Sequence, residues 1–281
     1  MNKMMKLLIY FIVFYMIACL PSLIVNQHFD FMNLLNVLQT TFIKLLNVSS
    51  IVFINQKSGV EYAIFPFIFE PWLNTMSILF GSILIALFFS ICFSLFLYRF
   101  SKLKIIFAKV FQLLGIIPDI FYIPIMITIV IIIYKETNIL LFDVASTSEK
   151  STVLFPMLLL SIIPLLNTIN LFEQLTEKES NSTYIDFAFS KGLNHTEVYF
   201  QHIFRNIIIG YCINFKQIIW MTLSSTLFLE RIMNIFGVSV FIFEYHSPEV
   251  LIVSFILLFL PISIVFWLIN RFVEQMTGVK I

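Results

Sequence analysis

Ser182-Thr183-Tyr184-Ile185-Asp186-Phe187-Ala188-Phe189-Ser190-Lys191-Gly192-Leu193-Asn194-His195-Thr196-Glu197 lies inside the longest polar interruption in the second half of the chain, Glu173 to Gly210. It reads as two short helices around a glycine. The first covers Ser182–Lys191. Gly192 stands where a helix ends in a left-handed position that glycine occupies without strain, and Leu193 is placed to fold back as the apolar contact of that cap. Asn194 is a good N-cap, and Glu197 three residues on completes a capping-box pattern. The second helix then runs through Val198–Asn206 straight into the next apolar run. A compact helix–turn–helix, joined to a membrane span and carrying aromatics, reads as a docking surface for a partner.

The remaining chain supplies the membrane. Of its 281 residues, 60% are hydrophobic and 12% charged, and the mean hydropathy is +0.98. A soluble domain of this size does not need so much apolar surface, so the expectation is an all-α polytopic membrane protein with six transmembrane helices. The net charge of +1 comes from residues scattered at membrane edges, which form no nucleic-acid-binding patch. Cys19, Cys92 and Cys212 all sit in apolar runs and read as inert buried thiols rather than a disulfide framework.

Residues Leu7–Val25 form the first apolar run, behind Lys3 and Lys6. Met16-Ile17-Ala18-Cys19 has the look of a lipoprotein cleavage box, but the run continues past Cys19 and is read as an uncleaved first span. Residues 26–71 are mixed and read as an extracellular segment. Ser58-Gly59 marks a turn. An amphipathic helix is expected near Leu34–Leu46, with Leu34, Leu35, Leu38, Phe42, Leu45 and Leu46 packing against the protein's own spans. Residues 72–281 hold the other five helices, with the polar loop at 173–206.

Trp72–Tyr98 is the second span, with aromatics at its two ends. Arg99, Lys102, Lys104 and Lys109 follow in what reads as a short inner loop. Leu113–Tyr134 is the third span, where Pro118 forces a kink or a late start. Asp119 beside it is an interfacial residue or a polar contact within the membrane. Thr152–Phe172 is the fourth span, broken by Pro156 and Pro164. Ile207–Leu229 is the fifth, and Asn214, Gln217, Ser224 and Ser225 fall on one stripe of its wheel. That stripe, Asn214, Gln217, Ser224 and Ser225, lines a water-filled path or glues the span to another helix. Lys216 points elsewhere, to snorkel or to pair with a carboxylate. Glu230–Pro248 reads as an outer loop and Val250–Asn270 as the last span. Eleven of the 17 basic residues then fall inside, five outside and Lys216 within the membrane, which places both termini and the polar loop in the cytoplasm.

Ala188-x-x-Lys191-Gly192-Leu193, followed by a spacer and Arg205-Asn206, resembles the EAA loop of ABC-importer permeases. Tyr184-Ile185-Asp186-Phe187-Ala188 before it, with Leu229-Glu230-Arg231-Ile232 and Phe236-Gly237 after it, resemble the dipeptide/oligopeptide/nickel type. The likeness covers about residues 180–240 and is topological elsewhere. The chain departs from the family pattern at Gly210, in the region where a proline is frequent, and in retaining only Gly237 of a Pro-Gly-x-Gly-like stretch. The resemblance implies a multi-pass permease subunit of a bacterial plasma membrane with a type I importer fold. It also implies a second permease subunit, cytoplasmic ABC ATPase subunits and an extracellular substrate-binding protein as partners, besides membrane lipid. Tyr184, Asp186, Phe187, Ala188, Lys191, Gly192 and Leu193 would couple it to the ATPases. Peptide or a nickel chelate as substrate is inherited from the resemblance alone. A permease for another solute or direction, and a non-transporting sensor or scaffold, are the alternatives.

No Gly-x-x-x-x-Gly-Lys-Ser/Thr loop occurs, so the chain has no P-loop nucleotide site. His195 and His202 share a helix face but stand about 10 Å apart, too far for one ion. No His-Glu-x-x-His or Gly-x-Ser-x-Gly pattern is present. The sequence thus calls for no cofactor and no metal, and for a transport subunit rather than an enzyme.

Overall fold

The computed structural model of the protein describes residues 3–25, 28–47, 51–54, 59–146 and 152–278. Ser58 of the expected turn, and Lys57, Lys150 and Lys280 of the charge count, lie outside the described residues, as do the side chains of Lys3, Lys6 and Asp119. The element order is α1 (Lys3–Cys19), a 3-10 turn, β1 (Ile24–Val25), β2 (His28–Phe29), α2 (Phe31–Leu46), β3 (Val52–Ile54), β4 (Glu61–Ala63), α3 (Ile64–Phe67), α4 (Phe69–Arg99) and α5 (Ser101–Leu114). Then follow α6 (Asp119–Thr137), α7 (Leu154–Ser180), α8 (Thr183–Ser190), α9 (His195–Val198), a π-helical turn at Tyr199–Ile203, α10 (Phe204–Ile232), α11 (Val238–Glu244) and α12 (Pro248–Thr277). Among the described residues, α4, α6, α7, the continuous rod His195–Ile232 and α12 are five helices long and apolar enough to cross a membrane. The strands form only two small antiparallel hairpins. The chain is an all-α, multi-pass membrane protein.

It divides into two compact units, Met1–Thr75 with Phe236–Ile264, and Met76–Ile235 with Val265–Ile281. These cut across the linear division at residues 25 and 71, because α4 and α12 contribute to both.

In the first unit, Ile51, Phe53, Ile64, Ile68, Phe241, Val250 and Val253 form the core. Phe53 is its aromatic hub, with ring centroids 4.4 Å from Tyr245, 5.1 Å from Phe67 and 5.5 Å from Phe241. The Asn74-Thr75 pair of α4 holds the entry to α11. Asn74 Nδ2 donates to the Phe236 carbonyl at 2.9 Å, and the Val238 amide donates to Thr75 Oγ1 at 2.8 Å. A side chain from another helix thus satisfies a helix N-terminal amide that has no partner of its own.

Trp72 has a role that an interfacial aromatic would not. Its indole Nε1 donates to the Leu257 carbonyl at 2.8 Å. In an unbroken α-helix that carbonyl would accept from residue 261, but Pro261 stands inside α12 and has no amide hydrogen. The indole supplies the missing donor, which matters in lipid, where water cannot.

The core of the second unit gathers Ile78, Tyr122, Ile123, Phe155, Leu159, Leu160, Ile163, Leu229 and Met233 among others. Here α7 and α10 pack side by side. Gly210 makes room for this contact: a Cβ on it would stand 2.4 Å from Leu175 Cδ1.

Several sequence-based expectations are corrected. The third span begins at Asp119 rather than Leu113, with Pro118 as the N-cap of α6, which is the late start expected of that proline. The basic "loop" after α4 is the 14-residue helix α5, on which Lys102 and Lys109 are exposed and Lys104 is half-buried. The fourth span continues past Phe172 to Ser180. Glu230 is not in a loop: it is fully buried in the last turns of α10. Of the three cysteines only Cys19 is buried, while Cys92 is exposed and Cys212 half-buried. Of the apolar stripe on α2, Leu34, Leu38 and Leu45 are turned inward, whereas Leu35, Phe42 and Leu46 are exposed.

Trp72→Phe should lower stability by about 1–3 kcal/mol, because it leaves the Leu257 carbonyl without a donor. Adding Pro261→Ala returns an amide to that carbonyl, so the double variant should recover part of the loss in detergent unfolding measurements. A double variant no more stable than Trp72→Phe would contradict this role.

Candidate functional site

The helix–turn–helix is assembled by local chemistry. α8 closes with the Lys191 amide donating to the carbonyls of Phe187 and Ala188, each at 3.2 Å, and the Gly192 amide donating to Phe189 at 2.9 Å. Gly192 has φ +85°, in the region where a side chain is strained, although no atom stands within 4 Å of where a Cβ would be. The constraint there is backbone conformation, not space. α9 opens on a full capping box: the Glu197 amide donates to Asn194 Oδ1 at 3.0 Å, and the Asn194 amide to Glu197 Oε2 at 2.8 Å.

The two faces of α8 differ. Ile185 and Ala188 are buried within the protein, and Leu193 is half-buried. Phe189 meets His195 across the turn, with centroids 5.0 Å apart. Asp186 and Lys191 are exposed, and Phe187 is 62% exposed. Lys191 Nζ lies 4.5 Å from the Phe187 ring centroid, a cation–π pair one helical turn apart. The surface offered outward is therefore a phenyl ring with an ammonium over it, beside a carboxylate. Ala188 serves the inner packing.

A second tie was not legible in the sequence. Tyr184 donates its hydroxyl to the Glu179 carboxylate, and Asn206 Nδ2 donates to Glu179 Oε2 at 2.8 Å. One carboxylate thus joins the end of α7, the first turn of α8 and the start of α10. On a neighbouring face, Lys104 of α5 pairs with Glu177 at 2.9 Å and approaches Glu173 at 4.0 Å. The helix–turn–helix is thus tied to α7 by hydrogen bonds to Glu179, and α7 in turn to α5 by the Lys104 ion pairs.

From α9 the chain continues without a break through the π turn into α10. Midway along α10, Asn214 and Gln217 face Asn167, Asn170 and Gln174 of α7 across an open crevice of about 200 Å³, floored by Leu171, Ile218 and Met221. Asn214 Nδ2 donates to the Gly210 carbonyl at 2.9 Å, and Asn167 Nδ2 to the Ile163 carbonyl at 3.0 Å. Each amide keeps a carbonyl oxygen that can accept a further bond. No charged side chain lines the crevice, so it can exchange hydrogen bonds with a polar solute, or with another helix, without a fixed charge preference. Ser224 continues the exposed polar surface of α10. Ser225 does not: it is buried and hydrogen-bonds back to the Met221 carbonyl at 3.2 Å. The structure thus unites Asn214 and Gln217, adds three amides from α7, and sets Ser225 apart. Asn167 and Asn170 fall within the expected fourth span and Gln174 beyond its expected end, and only the packing of α7 on α10 reveals the pairing.

Among the described residues, no group of three His, Cys, Asp or Glu side chains is arranged to hold a metal. No protein-family model matches the chain, and no curated protein matches it.

Burial first, and then the hydrogen bond and charge of Glu179, push the Tyr184 phenol up to about 12 from its ordinary 10.0, against a smaller opposite pull from Asn206. A raised phenol means that the Tyr184–Glu179 tie is fully present below pH 10.0 and is lost as pH rises through about 12. Phenolate absorbance, taken as wild type minus Tyr184→Phe, should show this late titration, and Glu179→Gln should move it down. A midpoint at the ordinary value would contradict the tie.

Proposed function

We propose that the chain is the permease subunit of an ATP-driven importer of a bacterial plasma membrane, of the kind that carries peptides or a related small solute such as a nickel chelate. On this reading, α1 and its 3-10 continuation complete a sixth span, both termini lie in the cytoplasm, and the helix–turn–helix faces the cytoplasm too. A second permease subunit covers the amide face. Separate ABC ATPase subunits seat α8, and an extracellular binding protein delivers the solute.

The observation that carries the proposal is the continuity of one rod, His195–Ile232, from a capped helix–turn–helix at one end to an amide-lined crevice at mid-length. Force applied at Phe187 and Lys191 passes through the Gly192 turn and the Asn194–Glu197 cap. It reaches Asn214 and Gln217 along one continuous helix. Exposed amides halfway along two spans also need a counterpart, since lipid gives them none. Water and solute between two permeases would provide it, and a rigid-body switch of the pair would open it alternately to the two sides.

In the reconstituted complex, Gly192→Val should abolish substrate-stimulated ATPase activity while leaving membrane insertion intact, because a β-branched residue is strained at φ +85°. Normal stimulation would count against the coupling role. Cysteines at Gln217 and Ser224 should react with a polar thiol reagent to an extent that changes with nucleotide state, and a cysteine at Ser225 should stay inert. Lasting inertness at all three would point to helix–helix glue instead of a path.

A further inference from the structure

We infer that α2 is an in-plane bilayer anchor, seating Phe31, Met32, Leu35, Phe42, Ile43 and Leu46 at the boundary between lipid headgroups and acyl chains. The sequence of α2 divides its surface into three sectors of the helical wheel. Leu34, Val37, Leu38, Thr41 and Leu45 turn inward. Asn36, Thr40 and Lys44 form a narrow polar strip. The six residues named above occupy the third sector, interrupted there by Gln39 alone, and all are exposed, Met32 at 72% and Leu46 at 75%. A helix with two apolar faces needs two apolar surroundings. The protein supplies one of them.

Depth identifies the other. α12 is a membrane-crossing helix of 30 residues, about 45 Å long. That exceeds a hydrocarbon core of about 30 Å, so its first turn lies among the headgroups. Lys44 of α2 pairs with Glu249 in that first turn at 2.7 Å. Further along α2, the Leu38 carbonyl accepts from Tyr15 of α1. The neighbouring Phe14 packs on Phe255 and Phe259 of α12, with centroids at 5.7 and 5.5 Å. Phe255 stands six residues beyond Glu249, about 9 Å along the helix. At the other end of α2, Asn33 Nδ2 donates at 2.7 Å to the Ser22 carbonyl, beyond the end of α1, so α2 is tied near the headgroup level at both ends and dips no more than about 10 Å below it, the depth at which amphipathic helices lie in a bilayer surface. The helix it rests on, α1, is also apolar on its exposed side, with Ile9, Ile12, Met16 and Ile17 uncovered. The apolar sector of α2 thus meets acyl chains while its polar strip stays at the headgroups. This inference requires only that the protein spans a membrane and is independent of what it transports.

The native chain, in nanodiscs of phosphatidylethanolamine and phosphatidylglycerol doped with a phosphatidylcholine carrying a diazirine on its acyl chain, tests this without mutation. Photolysis and peptide mapping should give lipid adducts on Leu35 and Phe42, as on the exposed Leu260 and Ile264 of α12, and none on Asn36 or Thr40. Hydroxyl-radical footprinting should show Leu35 and Phe42 protected. Oxidation of the apolar sector without lipid adducts would overturn the inference. So would crosslinks from α2 to a second copy of the chain, which would make this face a protein interface.

Discussion

The reciprocal hydrogen bonds between Asn194 and Glu197 fix where a 38-residue helix begins. Without that cap, the first turns at a water-exposed helix end would fray, because their amides have no partners within the helix. With it, ordered helix starts at His195 and passes through a π turn into a membrane span. The π turn itself is no loose joint, for Tyr199 and Ile203 within it are fully buried. Gly192 sets the direction in which α8 meets this rod, and the Glu179 carboxylate keeps α8 and the rod tied to α7.

A second theme is the treatment of polar groups in an apolar setting. The Leu257 carbonyl, deprived of its partner by Pro261, is answered by Trp72. The amide of Val238 is answered by Thr75. Where the protein makes such pairings, it holds shape. The crevice between α7 and α10 is different, since its five amides are only partly engaged and lie open. An open amide surface halfway along two spans is where an outside polar partner, a solute or another helix, fits.

The local features were legible in the sequence because their causes are local. Gly192 at a left-handed turn, the Asn194–Glu197 cap and the helix near Leu34–Leu46 depend on residues within a few positions of one another. What was missed depends on distant ones. Lys102, Lys104 and Lys109 read as a topological charge signal, which hid the helix α5. Glu230 after an apolar run read as the start of a loop, yet α10 carries it into a buried position. Trp72 looked like an interfacial aromatic until α12 was beside it. The spacing of α2 announced an amphipathic helix but not which of its two apolar sectors packs inward. Asn214 and Gln217 were visible as a stripe, whereas their amide counterparts on α7 emerge only from the close approach at Gly210.

The central claim is that the capped end and the amide-bearing middle of His195–Ile232 move as one body. Spin labels at Thr196 and Ser224, both exposed, lie 28 residues apart on this rod and leave the Asn194–Glu197 cap intact, so double electron–electron resonance should give one narrow distance near 40 Å, about 1.5 Å per residue. The account predicts that this peak stays in place when partner subunits and nucleotide are added. A broad or two-peaked distribution, or a shift on adding nucleotide, would place a hinge inside the rod and contradict it.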